Sequence, residues 1–169
     1  MELREFIQTG LDRAKQATAK SLEGLNQSEL SWHPKPDCNS IGFILFHMAR
    51  SEDRLIHAWI QSKPQIWESE KWYKKVNRPV EDSGSGYTAE QVASFVAPEL
   101  KGLLGYADAV RARTLECLKD MTGSNFDRVI NTPRGNFTVG GIFALVLVHV
   151  AQHTGEIAYL RGFQRGMNN

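Results

Sequence analysis

The sequence predicts an all-α protein: a four-helix bundle with a long crossover connection and a small β-hairpin before its last helix. Three observations carry this reading. Long segments repeat apolar side chains at three- and four-residue steps. A stretch bearing prolines and glycines, too long for a tight turn, separates the second such segment from the third. No internal repeat of about 20–50 residues is visible, so a solenoid is not expected. With 169 residues, 41% hydrophobic and 23% charged, the chain suits one core and excludes disorder and collagen-like repeats, and 1–169 is read as a single domain.

The first helix is predicted from Leu3 to Leu25, where Leu3, Phe6, Ile7, Leu11, Ala14 and Leu22 share one face without an intervening proline. Asn26 to Asn39 contains Pro34 and Pro36 among Ser, Asn and Asp residues and reads as a long connection. Ser40 caps a second helix running to about Gln61, with Ile41, Ile44, Leu45, Met48, Leu55 and Trp59 as its apolar stripe. The crossover follows over 62–87, and Trp67, Trp72 and Tyr73 are expected to pin it down. Thr88-Ala89-Glu90-Gln91 has capping-box spacing, predicting a short helix over 89–97 before Pro98 opens the third long helix, which ends near Met121. Thr132-Pro133-Arg134-Gly135-Asn136 lies between β-prone pieces and predicts the hairpin within 126–137. Thr138 caps a last helix to about Phe163; Ile142 to Val150 alone would also suit a buried strand, and length decides for the helix.

Lysine and arginine total 20 against 19 acidic residues, a balance that leaves no electrostatic footprint for nucleic acid. Two cysteines are too few for a disulfide framework and match no zinc ribbon, which fits a reducing cytoplasm. The first residues do not read as a secretory leader. Val139 to Val148, the longest apolar stretch, is shorter than the about 20 residues a membrane helix needs, so a core segment rather than a membrane partner is expected.

Chemistry concentrates on histidine. His149 and His153 stand one helical turn apart, about 40° from each other, the spacing at which two imidazoles share one metal ion. Ile142, Leu145, Leu160, Phe163 and Glu156 fall on the same side, so the pair is expected to point inward. His47 sits on the shoulder of the second helix's apolar stripe and offers a third imidazole. Three neutral imidazoles on facing helices suit zinc, nickel or iron and leave positions open for water or substrate. His149-Val150-Ala151-Gln152-His153 lacks the glutamate of the zincin motif, which disfavours that type of proteolysis. Glu156 is placed to accept an imidazole N–H, to bind the metal or to take a proton from bound water, unless it pairs with an arginine. Glu52, inside an apolar stripe, needs a partner: it orients a ligand histidine or, as the better-supported reading, pairs with a buried arginine. His33 and His57 are expected to be solvated, and Cys38 to be inert packing.

Asn39-Ser40-Ile41-Gly42-Phe43-Ile44-Leu45-Phe46-His47, Trp32-His33-Pro34 and His149-Val150-Ala151-Gln152-His153-Thr154-Gly155-Glu156 together resemble the DinB/YfiT-like superfamily, with agreement in element order across nearly the whole chain. The resemblance implies a divalent metal held by His47, His149 and His153 inside the bundle, and a homodimer. It also implies chemistry on a small-molecule substrate, such as transfer of a low-molecular-weight thiol to a small electrophile. Under that reading the 62–87 crossover, with Trp67 and Trp72, closes over the pocket or merely covers the helix ends. The alternative is a non-catalytic metal-binding protein of stress responses with a structural metal.

Overall fold

The computed structural model describes residues 2–166. Its long helices are α1 (Leu3–Ser21), α3 (Ile41–Asp53), α7 (Leu100–Lys119) and α9 (Val139–Arg165). Between them lie the short helices α2 (Gln27–Ser31), α4 (Ile66–Ser69), α5 (Trp72–Lys75), α6 (Ala89–Ala93) and α8 (Gly123–Asp127), and strands β1 (Val129–Thr132) and β2 (Gly135–Thr138). The all-α bundle with its crossover and small hairpin is the fold the sequence predicts.

α1 packs on α9, and α3 packs on both α7 and α9, so α3 and α9 face each other across the bundle. By length and composition α9 is apolar enough to cross a membrane; in the bundle it buries Val139, Ile142, Phe143, Val146, Val150, Ile157 and Leu160. Leu145 and Phe163, expected on the inner side, are exposed. The buried stripe of α9 passes through Val150 and Thr154, which leaves His149 and His153 half-buried on its shoulder rather than at its centre.

α1 ends at Ser21 rather than Leu25, because the chain turns at Gly24, whose φ of 62° belongs to the left-handed region. The expected connection after it contains α2, closed by a reciprocal cap. The Glu29 N–H donates to Asn26 Oδ1 at 2.9 Å and the Asn26 N–H to Glu29 Oε2 at 3.0 Å. α3 starts where expected, with Ser40 Oγ accepting the Phe43 N–H at 3.2 Å. From Arg54 to Ile60 it continues as a π-helix, a winding that changes the angular step per residue and shifts every later side chain from its α-helical direction.

That shift accounts for His57. Expected in solvent, it is buried, with Nδ1 2.8 Å from Asp53 Oδ1. Asp53 is fully buried and also accepts the backbone N–H groups of Ile66 at 3.1 Å and Trp67 at 3.0 Å, and the Tyr106 hydroxyl at 2.6 Å. One carboxylate thereby fastens the start of the crossover to α3 and α7. Trp67 is wholly buried against Phe46 and Tyr106 and donates its indole N–H to Val80 O at 2.8 Å. The crossover aromatics are anchors, as expected, and Trp67 is no lid. β1 pairs antiparallel with β2 from Val129↔Thr138 to Thr132↔Gly135, and Phe137 stacks on Trp59 of the π-helical segment.

Candidate metal centre

α3 contributes His47 and α9 contributes His149 and His153, and these three form the one group of potential metal ligands found among the described residues. The His47 Nε2 lies 2.9 Å from His149 Nε2, which lies 3.1 Å from His153 Nε2. The outer nitrogens decide the tautomers. His47 Nδ1 is 2.6 Å from Gly84 O, a carbonyl that only accepts, so Nδ1 carries the proton and Nε2 presents a lone pair. His153 Nδ1 is 2.7 Å from Glu156 Oε2, and the same argument leaves its Nε2 bare. His149 Nε2 faces both. One proton at most can bridge two such nitrogens, so lone pairs converge on a common point, a costly arrangement unless something electrophilic sits there.

Electrostatics point the same way. Burial above all, and then the neighbouring His153, His47 and Arg54 in that order, push the His149 imidazole down to about 4. Burial also lowers His47, although the Gly84 carbonyl on its Nδ1 opposes the shift. These imidazoles are therefore neutral near pH 7 and available as ligands. Nε2 separations of 2.9 and 3.1 Å would let all three imidazoles share one divalent ion.

Gly84 is the part of the site that histidine spacing did not reveal. It lies in the crossover with a φ of 65°, and a Cβ there would stand 3.1 Å from Arg50 Cβ and 3.3 Å from Phe46. Only glycine brings its carbonyl onto His47 in this conformation. Ser83-Gly84-Ser85-Gly86 was the available signal, a turn-forming run with no apolar residue to explain it. Ser85 Oγ is also 3.4 Å from His47 Nδ1.

Glu156 meets His153 at its outer nitrogen, the orienting position among those expected for it, and its partner is not an arginine. Glu52 does not touch the histidines. Its oxygens accept from Arg111 Nε and Nη2, each at 2.8 Å, and from Thr114 Oγ1 at 2.7 Å. It lines an apolar cavity of about 350 Å³ that Met48, Leu22, Leu104 and Val150 also border. The buried-arginine alternative describes it. His33, expected in solvent, is half-buried with Nδ1 2.6 Å from Cys38 O, inside the loop after α2.

A family model for the DinB superfamily matches residues 10–157. The crystal structure of a conserved protein from Enterococcus faecalis superposes with a TM-score of 0.84 at 25% identity, over 96% of each chain. No curated protein matches the chain.

Proposed function

The chain belongs to the DinB superfamily, and from that premise we propose that His47, His149 and His153 hold a divalent ion, zinc, nickel or iron, at a centre that activates a low-molecular-weight thiol, or water, for transfer to a small electrophile. The observation that carries this is the convergence of the three Nε2 atoms, with two tautomers fixed from outside by Gly84 and Glu156. A divalent ion held by three neutral imidazoles supplies undiminished positive charge, which lowers the pKa of a thiol or water enough to yield a nucleophile at neutral pH. Gly84 and Glu156 hold the rings in place by accepting their outer N–H groups, and the Glu156 carboxylate makes the His153 Nε2 the more basic donor.

A structural metal would require a closed fourth ligand. Glu156 is the acidic side chain nearest in sequence to the pair, and its carboxylate lies on the outer nitrogen of His153 rather than among the Nε2 atoms. This supports the open, reactive reading. The test is the rate at which metal-loaded protein conjugates a simple thiol to a bimane halide. The expected result is acceleration over the same metal in solution, lost in His149→Ala. Equal rates for protein, variant and free metal would overturn the catalytic part of the proposal.

A further inference from the structure

The arginines of this chain divide sharply by what they touch. Among those not fully exposed, Arg50, Arg78, Arg111, Arg161 and Arg165 each lie within ion-pair distance of a carboxylate. Arg54 is half-buried and has no carboxylate within that distance among the described residues. Its Nη2 makes two long contacts, 3.5 Å to Ser51 Oγ and 3.4 Å to Ser85 Oγ. No buried side-chain polar atom lacks a partner among the described residues, so the remaining guanidinium nitrogens open onto solvent-accessible space.

The position of this cation matters. Ser85 Oγ touches both Arg54 Nη2 and His47 Nδ1, at 3.4 Å in each case, so one hydroxyl links Arg54 to the outer edge of His47. Burial lowers the Arg54 pKa, followed by the positive charge of Arg134 from the hairpin turn and of Arg50. A divalent ion at the histidine cluster would add further positive charge near Arg54, and among the described residues Glu156 is the carboxylate that touches the cluster. Such a charge set favours an anion beside it.

We propose that Arg54 forms an anion subsite beside the histidine centre, so that the thiol taken there carries a carboxylate or comparable anionic group. The inference rests on the proposed metal centre and specifies the substrate class for it. Arg54 is a specificity residue: its planar donors receive the anion while the sulfur end of the same small molecule reaches the histidine cluster.

Cobalt-loaded protein tests this through thiolate-to-cobalt charge-transfer absorption, titrated with 3-mercaptopropionate and with the neutral 2-mercaptoethanol. Wild type is expected to take up cobalt and to prefer 3-mercaptopropionate by about tenfold or more. Arg54→Gln should take up cobalt equally well and lose most of that preference, and Arg54→Lys should keep part of it. Cobalt uptake with equal affinity for both thiols, or a preference unchanged in Arg54→Gln, overturns the anion subsite and leaves the metal centre standing. Absence of cobalt uptake by wild type overturns both.

Discussion

Asp53 and His47 share α3, and each anchors a polar cluster inside an otherwise apolar bundle, yet the two clusters are built on opposite terms. Around Asp53 every donor meets an acceptor: two backbone N–H groups, a tyrosine hydroxyl and an imidazole converge on one carboxylate, with Arg50 Nη1 3.7 Å away. Burial and the adjacent Asp53 charge hold Tyr106 in its protonated form far above the ordinary tyrosine range. Around His47 the outer nitrogens of His47 and His153 meet acceptors, but among the three inner nitrogens at 2.9 and 3.1 Å at most one proton can be shared, so the lone pairs are not all satisfied. A polar cluster that closes on itself serves the fold, and one whose centre stays open serves a ligand.

If that distinction holds, the two clusters respond differently to damage. Asp53→Ala removes the carboxylate shared by His57, Tyr106 and two backbone N–H groups, and should cost about 3–5 kcal/mol of stability in urea unfolding. Added metal should not restore it. Glu156→Gln should leave metal-free stability nearly unchanged while weakening metal affinity by about 10–100-fold, measured by competition with a chromophoric chelator. Gly84→Ala joins the two regions, since a Cβ at positive φ against Arg50 strains the crossover and displaces the carbonyl from His47. We expect a loss of about 1–2 kcal/mol together with weaker metal binding.

The smallest effect is on pH. His149 has its folded pKa depressed from 6.5 to about 4, so its neutral form is favoured by folding. The unfolded chain binds the extra proton first as pH falls. Metal-free stability from this group is therefore complete above about pH 6.5 and declines as pH drops toward 4, a trend that His149→Ala should flatten in unfolding curves recorded across that window. Partial exposure of the ring keeps the slope shallow.

The sequence legibly carried the bundle because its four stripes are long and their caps, Ser40 and Thr138, stand where helices begin. The histidine trio was legible for the same reason, since α-helical spacing is a dependable ruler over one turn. Past Asp53 the ruler changed with the π-helical winding, and His57 was misplaced in solvent. The short helices α2 and α8 leave no periodicity in the sequence, although both start at reciprocal caps, Asn26 with Glu29 and Thr122 with Asn125. In each, nearby proline, glycine or polar residues outweighed a box only four residues long. Gly84 and Arg54 act through tertiary contacts that no periodicity encodes: one offers a carbonyl from a distant loop, and the other is notable for lacking an acid.

Metal content by elemental analysis, after dialysis against a weak chelator, tests the central claim most directly when wild type is measured beside His149→Ala. The converging nitrogens predict about one divalent ion per chain in wild type and almost none in the variant. A wild-type protein that carries no metal, and takes up none when zinc, nickel or iron is added back, would contradict it.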